Sequence, residues 1–318
     1  MRSFPMPPGI YCSLTIRGVT LPPSFMELSD PGDFPFRPDA EPEPAAMENP
    51  SGTWCPGNAD SGHKCLYIKN LQYIIRLLPL SMMIPLKRAS RVLAFDTSSV
   101  RGSVVLLEAQ EVLAELRLYA PRSHSTILLS SVNFLLERLG WKLADLSLVA
   151  TGIGPGSFTG IRIGMATALG IAQALSIPFA GISGLDALAH QVASLMKASG
   201  TVGVVLDAHR SQVYYAEFLC REDRFRIARK PALLDATELA QRIAGRHLFM
   251  AGETQACGFG SSKSTGWPRI LPTDLFLAAD IGRLALSRKR AWRSGEYLVS
   301  EPLYIRPPDA VRNKGRVR

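Results

Sequence analysis

A glycine-rich turn followed by hydroxyl side chains has the clearest chemical potential in this sequence. Four glycines, at positions 152, 154, 156 and 160, fall within nine residues, with Pro155, Ser157 and Thr159 among them. Glycine permits positive φ and close backbone approach, so such a turn before a helix can bind an anion through free N–H groups. The stretch lacks the lysine of a P-loop, and Ser157 stands where a dinucleotide fingerprint needs glycine. The turn can therefore be interpreted either as a phosphate-binding site or as a tight turn that leads into a buried helix.

Two aspartates near the ends of predicted strands are candidate ligands for a metal or a nucleotide. Asp96 begins an Asp-Thr-Ser-Ser run in the first predicted hairpin, and Asp207 has the corresponding place in the second half of the chain. Carboxylates there could face a nucleotide's phosphates and metal, although Asp, Thr and Ser are also ordinary turn residues. With the turn they define a candidate, vestigial phosphate site: Asp96, Thr97, Gly154, Gly156, Ser157 and Asp207.

Cysteine and histidine spacing does not predict a metal site. The five cysteines show no CxxC pair, and the group Cys55, His63 and Cys65 has no fourth ligand beside it. His124 stands alone on its predicted helix, with Leu128 four residues later. We therefore expect no metal, no intrinsic cofactor, and free thiols in a reducing cytoplasm.

Two predicted helices are apolar over more than one face. In Ile161–Leu175 the only polar side chains are Arg162, Thr167 and Gln173, and Ser123–Leu139 is similarly apolar. Such helices need cover on two sides, and small residues at every fourth position invite another helix at close range. We expect one side to face the chain's own sheet and the other a partner protein, with these interface residues: Ile127, Ser131, Phe134, Gly160, Arg162, Gly164, Ala168 and Ala172.

Composition separates residues 1–90 from the rest of the chain. They contain 14 of the 23 prolines and no sustained period, which predicts a disordered or poorly packed extension, or an over-called start, dispensable up to Met83. The net charge of +9 lies entirely in residues 91–318. Basic clusters occur at 283–293 and 306–318 and could attract RNA, although a solvated surface explains these scattered charges better.

The order of predicted elements indicates a duplicated α/β fold. Three short strands, a helix, a strand, a helix, a strand and a helix occupy residues 91–198. A similar, abbreviated series occupies 199–306, and a basic tail covers 307–318. This pattern predicts two related α/β lobes.

These motifs together resemble the TsaB family. The segments that carry the likeness are LAFDTSS at 93–99, SHS at 123–125, GIGPGSFTGIRIG at 152–164, LDAHRSQVYYAEF at 206–218 and EPLYIR at 301–306. The likeness spans residues 91–313, and GPGSFTGIRIG is its most specific element. It implies the actin/sugar-kinase/Hsp70-like (ASKHA) fold, built from two ribonuclease-H-like lobes, the second abbreviated.

The resemblance also implies a function. TsaB-like chains are non-catalytic subunits that pair with the related protein TsaD, and with the ATPase TsaE, to threonylcarbamoylate N6 of adenosine 37 in tRNAs reading codons that begin with A. ATP and metal are then expected in TsaD and TsaE, and tRNA is reached through the complex. The free chain could also form a homodimer, and no membrane association is expected.

Two other functions remain open from the residues alone. The first is an ATP-dependent transferase or kinase-like enzyme of the same fold, which would use Asp96, Asp207 and the turn Gly152–Gly156 around Mg²⁺ and phosphate. The second is direct RNA binding through the C-terminal basic residues. A peptidase receives little support, since the sequence has no paired metal ligands and no nucleophile elbow.

Overall fold

Two mixed β-sheets, of eight and five strands, share a five-strand order and form the framework of this chain. The computed structural model describes residues 11–21, 90–119, 124–195, 199–221, 224–259, 268–288, 297–298 and 301–306. The strands are β1 (Tyr11–Ile16), β2 (Val19–Leu21), β3 (Arg91–Asp96), β4 (Arg101–Glu108), β5 (Glu111–Tyr119), β6 (Leu148–Gly152), β7 (Phe179–Ile182), β8 (Gly200–Asp207), β9 (Gln212–Arg221), β10 (Arg224–Asp235), β11 (Phe249–Gly252), β12 (Arg269–Ile270) and β13 (Tyr297–Leu298). The α-helices are α1 (His124–Leu139), α2 (Phe158–Leu175), α3 (Gly184–Leu195), α4 (Ala236–Ile243) and α5 (Ala278–Ser287).

The first sheet has the order β13-β7-β6-β3-β4-β5-β1-β2. Strands β3, β4 and β5 form the predicted antiparallel meander, and β6 and β7 extend it in parallel on the other side of β3. Five of the six residues of β3 are buried, as expected for a central strand covered on both faces.

The second sheet repeats this plan in the order β10-β9-β8-β11-β12. Here β8, β9 and β10 form the meander, while β11 and β12 join in parallel. The repeated order confirms the predicted α/β ASKHA-like fold. The second lobe is the abbreviated one, because α4 has 8 residues where α1 has 16 and β12 has only two.

The helices that follow each lobe are exchanged between the sheets. Helix α3, which ends the first lobe in the sequence, packs against β8, β9 and β10, whereas α5 packs against β3, β4 and β6. A methyl group added at Gly282 of α5 would lie 3.1 Å from the Cβ atom of Ala94. The buried core is therefore continuous between the two sheets, and Leu188, Phe218 and Ile281 belong to one cluster.

Helices α1 and α2 cover the opposite face of the first sheet. Their buried side chains form a second core cluster with β3, β4 and β5 that includes Phe95, Leu106, Leu135 and Ala168. Helix α2 begins after Ser157, whose hydroxyl accepts a hydrogen bond from the Gly160 N–H group, and it ends at Ser176 in the left-handed conformation. The predicted N-terminal cap is confirmed at Ser157.

The expectation of a poorly packed extension is wrong for residues 11–21. Strand β1 pairs with β5 over six residues, from Tyr11 opposite Tyr119 to Ile16 opposite Ala114. Leu14 is buried in the core of the first sheet, because strand pairing carries alternate side chains to the covered face. The rest of that predicted extension and the tail 307–318 lie outside the described residues.

Candidate functional site

A cleft of about 430 Å³ lies where the ends of β3 and β8 meet, between the two sheets. Asp96 and Asp207 terminate these two strands and occupy equivalent places in the repeated plan. The glycine-rich turn and the segment Leu303–Arg306 complete the walls. The structure thus brings Asp96, Gly156, Ser157 and Asp207 of the predicted site to one cleft.

Asp96 is buried at the base of this cleft. Its Oδ1 atom accepts a hydrogen bond from the Ser98 N–H group at 2.9 Å, which forms a tight turn after the strand. A Cβ atom at Gly152 would lie only 2.3 Å from the same oxygen. Because Gly152 has no side chain, the Asp96 carboxylate has room to lie against it.

The other glycines of the turn make room for the β3–β4 hairpin. A Cβ atom would lie 2.2 Å from the Ser98 carbonyl oxygen at Gly156, and 2.0 Å from the Thr97 carbonyl oxygen at Gly160. Gly154 has a φ of +100°, which disfavours any other residue, and its carbonyl oxygen accepts a hydrogen bond from the Gly184 N–H group. Close internal packing explains why glycines occur at this spacing.

The amide groups that could bind an anion are partly occupied within the chain. The Ser157 N–H group donates to the Ser98 carbonyl oxygen at 2.7 Å, and the Gly160 N–H group donates to the Ser157 hydroxyl. The hydroxyl of Thr97, which is itself buried, donates to the Gly160 carbonyl oxygen at 2.8 Å. These bonds favour the tight turn over a phosphate cradle.

An ion pair that the sequence did not single out connects the two lobes across the cleft. The guanidinium of Arg101, at the start of β4, lies 2.6 Å from the Oε1 atom of Glu253, which follows β11. The Oε2 atom of Glu253 accepts a hydrogen bond from the Asp207 N–H group. Single charges at strand ends give no periodic signal, so only the tertiary structure identifies this pair.

The C-terminal segment closes one wall of the cleft. Arg306 donates to the Ala208 carbonyl oxygen at 2.5 Å and to the Oε1 atom of Gln212 at 2.6 Å. Burial raises the pKa of Tyr214 on the same wall, although the charge of Arg306 opposes the rise. The phenol is therefore protonated at neutral pH and can donate a hydrogen bond into the cleft.

The carboxylate of Asp207 remains 39% exposed at the cleft, and its Oδ1 atom accepts a hydrogen bond from the His209 N–H group. Within the described ranges, no three His, Cys, Asp or Glu side chains converge as a metal site. The cleft can accommodate a small polar molecule, held by carboxylates, hydroxyls and arginines. Cys55, His63 and Cys65 lie outside the described residues, as does the side chain of His124.

The small-residue stripe of α2 does not face outward, which corrects part of the predicted interface. Gly160, Gly164, Ala168 and Ala172 are all buried in the chain itself. A Cβ atom at Gly164 would lie 2.6 Å from the hydroxyl oxygen of Thr97. The stripe has no bulk because β3 and β6 pass directly beneath it, so these four positions are unavailable to a partner.

The opposite face of α2 is exposed and carries few large side chains. Ala166, Gly170 and Ala174 are exposed there. Arg162 is also exposed, with its guanidinium 3.7 Å from the centre of the Phe158 ring and its Nε–H group donating to the Tyr304 hydroxyl. By length and composition alone α2 could cross a membrane, and 33% of it is buried within the chain itself.

Helix α1, which packs against α2, also has an exposed side. Leu129 is 54% exposed, and Ile127 and Phe134 are half-buried. Ser131 is buried, and its hydroxyl donates back to the Ile127 carbonyl oxygen at 2.7 Å. Of the predicted interface residues, Ile127, Phe134 and Arg162 are accessible, whereas Ser131 and the four residues of the stripe are buried.

The described members of the basic clusters are engaged within the chain. Arg288 pairs with Asp186 at 3.0 Å, and Arg283 donates to the Gln110 carbonyl oxygen. Arg306 donates to the Ala208 carbonyl oxygen in the turn after β8. The other residues of the two clusters lie outside the described residues, and the predicted RNA contact there gains no support from the described ones.

Comparison with known proteins identifies relatives with assigned roles. The family profile described as "TsaD: tRNA N6-adenosine threonylcarbamoyltransferase" matches residues 118–259. The tRNA threonylcarbamoyladenosine biosynthesis protein TsaB of Bacillus subtilis is 37% identical over 123 residues, and that of Escherichia coli 38% over 128. These matches cover 39% and 40% of this chain, and the chain spans about half the length of each, 52% and 54%.

A longer match and two solved structures cover whole relatives. TsaB of Haemophilus influenzae is 35% identical over 224 residues, which is 67% of this chain and 92% of that protein. The structure of YeaZ from Pseudomonas aeruginosa superposes with a TM-score of 0.55 at 27% identity, covering 68% of this chain and 99% of that one. A second Pseudomonas aeruginosa structure, described as similar to peptidase YEAZ, has a TM-score of 0.54 and 31% identity over 68% and 100% of the chains. The chain therefore belongs to the TsaB family of tRNA threonylcarbamoyladenosine biosynthesis proteins.

Proposed function

We propose that this chain is a non-catalytic subunit that pairs with TsaD in the N6-threonylcarbamoylation of adenosine 37 in tRNAs reading codons that begin with A. TsaE joins this assembly as the ATPase, and ATP and metal bind in the partner proteins. The proposal follows from family membership and from the exposed face of α1 and α2.

That exposed face is the observation that carries the pairing. Ala166, Gly170 and Ala174 leave the surface of α2 nearly flat, and Leu129 is exposed on α1, which packs against α2. Small residues let a partner helix approach closely, and an exposed leucine in such a surface is a typical apolar anchor. We name this surface the helix face, defined by Leu129, Phe134, Ala166, Gly170 and Ala174.

The arrangement of the cleft supports a role other than catalysis for this chain. The amides of Ser157 and Gly160 are hydrogen-bonded within the chain, and the Asp96 oxygen is held by the Ser98 N–H group. The alternative, an ATP-dependent transferase, would need these groups on its nucleotide. The two functions make opposite predictions for the isolated chain.

An arginine placed on the helix face tests the pairing. Ala166→Arg introduces a charge that must be desolvated in the complex, so we expect binding to TsaD to weaken about tenfold or more, since 1.4 kcal/mol is one decade in affinity. The measurement is titration calorimetry of the chain against purified TsaD. Gln241→Arg on the exposed side of α4 is the matched control and should bind TsaD normally.

The outcomes separate the parts of the proposal. Both variants should melt like the wild type, because Ala166 and Gln241 are exposed. Wild-type affinity of Ala166→Arg would exclude the helix face as the TsaD surface. Self-association of the free chain that Ala166→Arg abolishes would indicate that a homodimer uses the same face. Threonylcarbamoyl transfer or ATP hydrolysis by the isolated chain would contradict a non-catalytic role and favour the transferase.

A further inference from the structure

The outer face of the second sheet carries a row of arginines. In β9, Tyr215 and Glu217 share one face, since the Tyr215 hydroxyl donates to the Glu217 carboxylate at 2.9 Å, while Phe218 and Cys220 lie on the other face in the core. Because side chains alternate along a strand, Arg221 lies on the same face as Glu217.

The register of β10 adds three more arginines to this face. Arg224 lies opposite Arg221, Arg226 opposite Leu219, and Arg229 opposite Glu217, and paired residues in neighbouring strands share a face. A register shift between Ile227 and Arg229 keeps Arg229 on this side of the sheet. All four arginines are exposed. We name this surface the arginine face: Arg221, Arg224, Arg226 and Arg229.

The short second-lobe helix leaves this half of the sheet open. Leu239 and Ile243 of α4 pack on Val213 and Tyr215, at the other end of β9. Helix α4 has only 8 residues, and the four arginines remain exposed. A sheet face that no helix covers is solvated, and here its exposed side chains include four arginines.

Among the described residues, ion pairing reaches only Arg229 of the arginine face. The carboxylate at its inner edge, Glu217, is already bound by Arg246 at 2.8 and 3.0 Å, and Arg229 lies 3.7 Å away. Within the part of the chain that the structure describes, Arg221, Arg224 and Arg226 form no ion pair. Glu222 and Asp223, between Arg221 and Arg224 in the sequence, lie outside the described residues.

We propose that the arginine face binds phosphate groups of the tRNA backbone. The proposal rests on the function proposed above, which makes tRNA the macromolecular substrate of the complex. Arginine binds phosphate through its planar, bidentate guanidinium, and Arg224 and Arg226 stand about 6.6 Å apart along the strand. Tyr215 on this side of the sheet is buried under α4, and the described residues of the arginine face offer no exposed aromatic ring for base stacking, so its contacts position the tRNA without reading its sequence.

Charge-matched variants test this proposal. Arg224→Gln/Arg226→Gln removes two charges from the arginine face, and Arg17→Gln/Lys142→Gln removes two exposed charges elsewhere. Affinity for a tRNA transcript is measured by fluorescence anisotropy as a function of salt, both for the isolated chain and for its complex with TsaD. We expect the first variant to bind about tenfold more weakly and to lose about two units of the salt slope, one per phosphate contact. The control variant should keep the wild-type slope.

Each outcome bears on the proposal. Wild-type affinity and slope in Arg224→Gln/Arg226→Gln would overturn it, and so would equal losses in both variants, which would show an effect of net charge alone. Weaker binding to TsaD with unchanged tRNA binding would assign the face to a protein partner and would also overturn it. If TsaD does not bind the chain while arginine-dependent tRNA binding persists, the proposed pairing fails and the arginine face stands. If the complex modifies tRNA and both variants bind tRNA normally, the proposed pairing stands and the arginine face fails as a tRNA-binding surface.

Discussion

At the scale of the residue, Glu217 shows how one buried carboxylate is stabilised in its charged form. Hydrogen bonds from Arg246 lower the pKa of Glu217, burial opposes this, and the Tyr215 hydroxyl adds a further hydrogen bond that lowers it. Burial and the Glu217 charge in turn raise the pKa of Tyr215, which stays protonated and donates. The group therefore couples the turn that follows α4 to β9 through charge.

Replacing this carboxylate with an amide should change how the free energy of unfolding depends on pH in the acid range. A lowered pKa in the folded state means that the stabilisation is complete above the ordinary value of 4.5 and is lost as pH falls through the lowered value. We expect Glu217→Gln to cost about 1–3 kcal/mol of unfolding free energy at neutral pH, with the difference from wild type shrinking in acid. Urea unfolding across this pH range measures both.

The exposed carboxylate of α4 provides the control for that experiment. Glu238 pairs with Arg242 one helical turn away, with both side chains about half exposed. Such surface pairs contribute only about 0.3–0.5 kcal/mol, so Glu238→Gln should be nearly neutral at every pH. If Glu217→Gln lowered the free energy of unfolding equally at every pH, this carboxylate would not be the source of the pH dependence in acid.

At the scale of the element, α2 separates two kinds of small residue. Gly164 faces the sheet, where an added methyl group would lie 2.6 Å from the Thr97 hydroxyl oxygen and 3.0 Å from that of Thr151. Gly170 faces outward, and no atom lies within 4 Å of an added methyl group. The same amino acid thus permits close packing at one position and leaves open surface at the other.

Two glycine-to-alanine variants should therefore have opposite effects. Gly170→Ala should stabilise the chain by about 0.5–1 kcal/mol, because alanine loses less backbone entropy than glycine in a helix. Gly164→Ala should destabilise it by about 1–3 kcal/mol through overpacking against β3 and β6. Thermal melts of the two variants measure this directly. Stabilisation by both substitutions would mean that the stripe faces outward after all.

The sequence could predict α2 but not its orientation. The hydroxyl before the helix and the apolar run fix its boundaries, and Ser157 caps it as expected. A helix that is apolar nearly all round carries no periodic signal of which side meets the sheet. Only the observed contacts of Gly160 and Gly164 show that the small residues face inward, so the predicted interface was assigned to the wrong side of the helix.

At the scale of the whole molecule, the doubled sheet was predictable and the exchange of helices was not. The strand series repeats in the sequence, and it places Asp96 and Asp207 at equivalent strand ends. The packing of α3 and α5 on each other's sheets depends on side chains distant in the sequence, as does the ion pair between Arg101 and Glu253. Local sequence patterns do not predict such long-range contacts.

The hairpin β1–β2 was missed for a related reason. Its surroundings are rich in proline and lack periodicity, and two strands of six and three residues give too weak a signal to outweigh that composition. What holds it is the edge of β5, where each residue from Tyr11 to Ile16 has a partner. An edge strand presents unpaired backbone groups, and β1 covers them.

Loss of this hairpin should lower the stability of the chain. Leu14 is 3% exposed, so Leu14→Ala should cost about 2–4 kcal/mol, whereas Val19→Ala at a 64% exposed position of the same hairpin should cost less than about 0.5 kcal/mol. A chain shortened to begin at Met83 should melt at a lower temperature than the full chain, since it loses the buried leucine and the whole β1–β5 ladder. Thermal denaturation followed by circular dichroism compares all four proteins. Equal melting temperatures for the full chain, the shortened chain and Leu14→Ala would show that β1 contributes nothing in solution and that the extension is dispensable.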